Sequence, residues 1–229
     1  ECALEDLIPK DAVTVVPFNR WDVDAGAARF GAYLEDVSLF DGSLFGISTS
    51  ESLLMDPQQR LLLESAAAAL QREAVDPAKM GVYVGLASSD YSSLIKASTK
   101  PGAFHATSNA VSVASGRIAF TFGLKGPCLS IDTACSASLV GLHLAQKSMK
   151  EGTIESALAS GIHLQCTPTS TQYVWNASML SPSGRCQALD AAADGYVRGE
   201  GCLTLLLTTG KEGLAILGSA VNQDGRSSS

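Results

Sequence analysis

The sequence predicts an α/β protein in which a largely parallel sheet is covered by helices. Strand-like apolar runs alternate with helix-like segments through the middle of the chain, the pattern expected when helices connect parallel strands. Of the 229 residues, 46% are hydrophobic and only 17% are charged, which suits strands that are buried on both faces. No repeat, low-complexity tract or linker interrupts residues 1–229, so we expect a single domain.

The first well-marked element is a helix that begins after Asp56. Asp56 is a good N-cap, Pro57 suits the first helical position, and Gln59 is placed to complete a capping box. The apolar residues of RLLLESAAAAL (60–70) continue the helical pattern. Before this helix, the turn-rich and aromatic stretch 15–56 predicts irregular structure or short elements.

Alternating strands and helices follow this first helix. The apolar runs predict strands at 81–89, 128–134 and 154–165. Helices are predicted at 109–119, at 136–151 with Gly152 in the C′ position, and at 169–177. CLTLLLT (202–208) and LAILGSAVN (214–222) are separated by the turn-like TGKEG, so we expect them to form a hairpin.

Composition excludes several functional classes. A net charge of −7 disfavours nonspecific nucleic-acid binding, and no apolar stretch reaches the roughly 20 residues of a membrane span. The acidic start lacks the layout of a signal peptide. The six cysteines show no zinc-ribbon or thioredoxin spacing, so we expect reduced thiols in the cytoplasm. Acidic residues are common in glycine-rich turns, and this explains Asp190, Asp194 and Glu200 better than a metal site does. We expect no bound cofactor.

The chemically informative segment is GPCLSIDTACSASLVGLHLAQ (126–146), in which Cys135 lies between a predicted strand and a predicted helix. A helix N-terminus favours the thiolate form of a cysteine, and its backbone N–H groups can stabilise an oxyanion. Ala134 and Ser136 are small, so a thioester substrate could approach the backbone beside them. The spacing leaves open that Cys135 is only a small buried residue, which is the interpretation we give to the other five cysteines.

Several motifs together resemble the β-ketoacyl synthase family. DTACSASLV (132–140) resembles its active-site sequence. The remaining motifs occur in the family's order and are MDPQQRLLLE (55–64), SVASGRIAF (112–120), LSPSGRCQALDAAADGYVRGEG (180–201) and GSAVNQDGRSS (218–228). MDPQQRLLLE and GYVRGEG favour the ketosynthases of type I polyketide synthases. Gln187 and Leu189 depart from the usual Lys and Phe without affecting a catalytic position.

The resemblance implies a thiolase-like fold, with this chain as the N-terminal αβαβα-type half and a central mixed sheet covered by helices. It implies that Cys135 accepts an acyl chain from the phosphopantetheine of an acyl carrier protein. A malonyl-type extender on another carrier then decarboxylates and attacks the acyl-Cys135 thioester, which is covalent catalysis. The family also implies a homodimer, with GLKGPCLSID (123–132) at the interface.

The family's two catalytic histidines have no match among His105, His143 and His163. His143 lies in an apolar helical setting and is expected in the core, His163 in a strand and His105 in a loop. The family's opening strand, before the region that ends in VPFNRWD (16–22), also has no match. We therefore expect a chain truncated at both ends, without the C-terminal half of the fold and unable to condense substrates by itself. The alternatives are a noncatalytic scaffold or carrier-docking module, and a cysteine hydrolase or thiolase-like acyltransferase.

Overall fold

The computed structural model describes residues 11–23, 26–87, 89–98, 102–210 and 213–226. The chain divides into one unit of residues 1–36 and 164–201, and a second of residues 37–163 and 202–229. The strands are β1 (Val13–Val15), β2 (Phe30–Ala32), β3 (Met80–Gly85), β4 (Cys128–Ile131), β5 (Ser156–His163) and β6 (Gly201–Leu207). The helices are α1 (Thr49–Leu54), α2 (Pro57–Leu70), α3 (Tyr91–Ser98), α4 (His105–Ser108), α5 (Val111–Phe122), α6 (Ala137–Lys150) and α7 (Pro168–Asn176).

The second unit is built on a four-stranded sheet in the order β4-β3-β5-β6. β3 pairs in parallel with both β4 and β5, and its last residue, Gly85, lies opposite Ile131 on one side and Gly161 on the other. Every residue of β3 is buried, as expected for a central parallel strand. The predicted α/β class and the strands at 81–89 and 154–165 are confirmed.

Helices cover this sheet. α6 packs against β3 and β5, and α5 packs against β3 and β4. Tyr83 lies in the core with Ala145 of α6 and Ala157 of β5, and its hydroxyl donates to Ser148 Oγ at 2.8 Å. The small residues of α6 and β5 therefore let the helix approach the sheet closely. The predicted helices at 109–119, 136–151 and 169–177 correspond to α5, α6 and α7.

The start of α2 differs in one detail from the prediction. Asp56 is the N-cap and its Oδ1 accepts from the Gln58 N–H at 2.8 Å. The predicted capping box is wrong, because the Asp56 N–H donates to the Ser108 carbonyl at 2.8 Å instead of to Gln59. The Gln59 amide donates to the carbonyls of Thr107 and Ala110. A hydrogen bond to the distant residue Ser108 has therefore replaced the predicted local bond between Asp56 and Gln59.

The predicted hairpin near residue 210 is also wrong. β6 forms as expected, but the described residues 213–226 contain no strand. Side chains of α6 hold this segment instead, since Gln146 donates to the Ile216 carbonyl at 3.1 Å and accepts from Ser219 Oγ at 2.6 Å. Residues 211 and 212 of the predicted turn lie outside the described residues.

In the first unit, β1 and β2 form an antiparallel pair. A buried carboxylate, Glu200, connects its distant segments. Glu200 accepts from the Arg20 guanidinium at 2.7 Å, from the Leu34 N–H at 2.9 Å and from the Gln165 N–H at 2.8 Å. In the described part of the chain, no helix has the length and apolar character that crossing a membrane requires.

Candidate active site

The turn after β4 is closed by the side chain of Asp132. Its Oδ1 accepts a hydrogen bond from the Ala134 N–H at 2.9 Å, which is an Asx turn. This turn ends β4 at Ile131, so the predicted strand end at Ala134 is three residues too late. The side chain competes with the strand ladder for the backbone donor.

Cys135 lies in a single 3₁₀ turn, Ala134–Ser136, directly before α6. This is the predicted position between strand and helix. Cys135 is exposed, so the buried alternative is wrong for this residue. Ala134 has a φ of +53°, which places it in the left-handed region that non-glycine residues rarely occupy. No side chain caps the start of α6, and the Ser136 and Ala137 N–H groups donate to the backbone carbonyls of Thr133 and Ala134.

Two strand glycines place the first turn of α6. A Cβ on Gly85 would lie 2.5 Å from the Ala137 carbonyl carbon, and a Cβ on Gly161 would lie 2.7 Å from Ser138 Cβ. The helix therefore rests directly on the backbones of β3 and β5. Sequence reasoning missed both glycines, although a glycine inside a strand is a signal of close backbone approach.

The residues beside Cys135 were predicted to contact substrate. Ser136 Oγ lies 2.9 Å from the Thr133 carbonyl oxygen and 2.8 Å from Thr133 Oγ1, so its hydroxyl holds the turn. Ala134 is exposed, and its N–H is held by Asp132. Substrate contact by Ala134 and Ser136 stays a prediction.

The three histidines lie on three different elements. His143 is half-buried on α6 rather than in the core, with its Nδ1 2.8 Å from Ser219 Oγ. His105 begins α4 instead of lying in a loop, and its Nδ1 accepts from the Gly102 N–H at 2.9 Å. His163 ends β5, as predicted.

The other described cysteines divide by exposure. Cys128 and Cys186 are exposed, so the buried interpretation is wrong for them, because Cys128 opens an edge strand and Cys186 lies in a loop. Burial raises the pKa of Cys202 to about 11, which keeps it a thiol at neutral pH. Cys2 lies outside the described residues. Within the described ranges, no cluster of three or more His, Cys, Asp or Glu residues could hold a metal ion.

Comparison with known proteins agrees with this geometry. The family model described as "Beta-ketoacyl synthase, N-terminal domain" matches residues 7–213.

The chain belongs to the β-ketoacyl synthase family.

Two curated relatives of this chain belong to polyketide synthases. It is 40% identical to a component of the phenolphthiocerol/phthiocerol polyketide synthase of Mycobacterium tuberculosis, over 95% of this chain and 16% of that protein. It is 44% identical to the spectinabilin polyketide synthase system protein NorA′ of Streptomyces orinoci, over 95% of this chain and 6% of that protein. The chain therefore spans a small part of the length of the relatives it matches.

Solved structures confirm the thiolase-like fold of this family member. The ketosynthase from module 6 of the bacillaene synthase of Bacillus subtilis 168 superimposes with a TM-score of 0.76 at 37% identity, covering 86% of this chain and 34% of that one. An oxazolomycin ketosynthase domain of Streptomyces albus JA3453 gives a TM-score of 0.79 at 30% identity, covering 87% and 38%.

Proposed function

We propose that this chain is the acyl-accepting, N-terminal half of a type I polyketide synthase ketosynthase, with Cys135 as its nucleophile. The observation that carries the proposal is an exposed cysteine in a tight turn, followed by a helix start that no side chain caps. The family and the polyketide synthase relatives support the substrate class, an acyl chain on the phosphopantetheine of an acyl carrier protein.

The acyl transfer follows from this arrangement. The Cys135 thiolate attacks the thioester carbonyl carbon, and a carbon–sulfur bond forms to Cys135. The bond between that carbon and the phosphopantetheine sulfur then breaks, and the released thiolate takes up a proton from solvent. The partial positive charge at the N-terminus of α6, which follows Cys135 directly, would stabilise the transient oxyanion.

The condensation needs more than this chain. By family resemblance, a malonyl-type thioester on a carrier loses CO₂, and its enolate carbon attacks the acyl-Cys135 thioester to release a β-ketoacyl carrier. The family's two histidines would stabilise that enolate. We assign neither role to His105, His143 or His163 and propose that a C-terminal half of the fold supplies both. The proposal includes a cytoplasmic homodimer that holds no cofactor of its own.

The first prediction concerns acylation of Cys135. The purified chain is incubated with a short acyl thioester of N-acetylcysteamine, and the modified peptides are identified by mass spectrometry. We expect acylation of Cys135, its loss in Cys135→Ala, and its retention in Cys186→Ala, which removes another exposed thiol. Alkylation by iodoacetamide at neutral pH should likewise be fastest at Cys135.

With malonyl carrier protein added, no β-ketoacyl product should accumulate. Loss of one oxyanion donor typically costs about 10²–10³ in rate, and two histidines are missing here. Acylation of a different cysteine would contradict the assignment of Cys135. Condensation at the rate of an intact ketosynthase would contradict the need for a second half.

A further inference from the structure

We propose that Asp132 is a positioning residue for Cys135: its carboxylate holds the Ala134 N–H and thereby keeps Ala134 in the left-handed conformation that directs the thiol outward. The proposal rests on the proposed role of Cys135 as the nucleophile. It adds a residue that acts through the backbone and does not touch substrate.

The two ends of the turn are fixed by the sheet. On the strand side, Ile131 pairs with Gly85, and its carbonyl accepts from the Leu86 N–H at 3.1 Å. On the helix side, the first turn of α6 lies against Gly85 and Gly161. Residues 132–136 must therefore connect two fixed points, and any change in their torsion angles moves the Cys135 side chain.

Within this short connection, Ala134 has the unfavourable backbone conformation. Its φ is +53°, and an alanine side chain offers no hydrogen bond of its own to offset that conformation. The bond from the Ala134 N–H to Asp132 Oδ1, at 2.9 Å, acts on the same residue. The contact of Ser136 Oγ with Thr133 closes the other side of the turn. Asp132 is thus placed to maintain a conformation that Ala134 alone would not favour.

Positioning by a hydrogen bond and an effect of charge predict different results. If only the charge of Asp132 affected Cys135, Asp132→Ala and Asp132→Asn would change its reactivity alike, since both remove that charge. If Asp132 acts through its hydrogen bond, Asp132→Ala lowers the reactivity of Cys135. Asp132→Asn then preserves it, because the amide oxygen can accept the same N–H.

The experiment measures the rate of Cys135 acylation by the N-acetylcysteamine thioester, and in parallel its alkylation by iodoacetamide. We expect Asp132→Ala to slow acylation by about tenfold or more, since small misplacements of reacting groups cost up to 10²-fold. Asp132→Asn should stay within about threefold of the unaltered chain, a range that corresponds to a hydrogen bond retained in weaker form. Cys186, exposed in a loop outside this turn and outside the segment 123–132, serves as the internal reference for alkylation.

A second background tests the backbone mechanism directly. Glycine adopts left-handed torsion angles without strain, so Ala134→Gly should make the turn less dependent on Asp132. We expect Asp132→Ala to have a smaller effect on acylation in the Ala134→Gly background than in the unaltered chain. This coupling is a result that general loosening of the fold would not produce.

Several outcomes would overturn the inference. These are an Asp132→Ala variant as reactive as the unaltered chain, an Asn variant as impaired as the Ala variant, or alkylation of Cys186 that changes in step with Cys135. If Cys135 of the unaltered chain takes no acyl group, the proposed function fails instead. The alkylation rates, which require only an accessible thiol, still test Asp132 in that case.

Discussion

At the scale of single residues, Asp56 combines a structural role with an unfavourable environment. It caps α2 through its bond to the Gln58 N–H, yet its side chain is buried. Burial raises the pKa of the Asp56 carboxyl, and its hydrogen bonds offset only part of that effect. The cap is therefore made by a group whose ionised form is disfavoured in the folded state.

The replacement Asp56→Asn keeps an acceptor for the Gln58 N–H and removes the buried charge. A carboxyl whose pKa is raised by folding stabilises the protein when protonated, and that stability is lost as pH rises through the folded pKa. The free energy of unfolding of the variant minus that of the unaltered chain should therefore be larger at pH 7 than at pH 4. Urea unfolding at both pH values measures the two differences in the free energy of unfolding.

Asp41 provides the matched control, because hydrogen bonds from Ser43 lower the pKa of its exposed carboxyl. A lowered pKa contributes stability that is lost as pH falls, so Asp41→Asn should show the opposite trend with pH. If the stability differences of the two variants changed with pH in the same direction, the causes assigned to the two pKa shifts, burial for Asp56 and hydrogen bonds for Asp41, would be contradicted.

At the scale of elements, the packing of α6 on the sheet depends on the absence of a side chain at Gly85. An added methyl group there meets the backbone of Ala137 and Ser138, which cannot move without displacing the helix. Gly116, in the middle of α5, has open space where its Cβ would be. The same substitution at these two positions should therefore have opposite effects on stability.

We expect Gly85→Ala to lower the free energy of unfolding by roughly 1–3 kcal/mol or more, as overpacking does, and to slow acylation of Cys135. Gly116→Ala should raise the free energy of unfolding by about 0.5–1 kcal/mol, because alanine favours a helix interior. Both substitutions lower the conformational entropy of the unfolded chain by a similar amount. A difference between their effects on the free energy of unfolding therefore comes from the folded state. A destabilising Gly116→Ala or a neutral Gly85→Ala would contradict this account.

The elements that could be predicted from the sequence are those that local chemistry determines. Asp56 and Gly152 mark the start of α2 and the end of α6 within a few residues of chain, and Cys135 was placed correctly between strand and helix. The end of β4 was missed because it depends on one hydrogen bond to Asp132. The contact of Gly85 with α6 joins residues more than 50 positions apart, so no local pattern contains it.

At the scale of the whole molecule, β4 is an edge strand of the described sheet. Leu129 on this strand is 42% exposed, and the neighbouring helices expose Phe120 of α5 and Leu139 of α6. An exposed strand edge flanked by apolar side chains is a ready surface for pairing with another chain. We therefore place the proposed dimer contact here, within the segment 123–132 that the sequence analysis named.

We expect light scattering to report a dimer at micromolar concentration and Leu129→Lys to shift it towards the monomer. Leu203→Lys, at an exposed position on the opposite edge strand β6, is the control and should leave the dimer intact. A monomeric chain, or a dimer lost only with the change at Leu203, would rule out the β4 contact.

The central position of β3 also sets an order of events during synthesis. Val82 pairs with Cys128, 46 residues further along the chain, and Met80 pairs with Ser156, 76 residues further. At typical translation rates of about 5–20 residues per second, β3 is complete roughly 4–15 seconds before its second partner is made. Until β5 is made, at least one side of β3 has no strand beside it, so its apolar residues stay available to a nascent-chain chaperone for that interval.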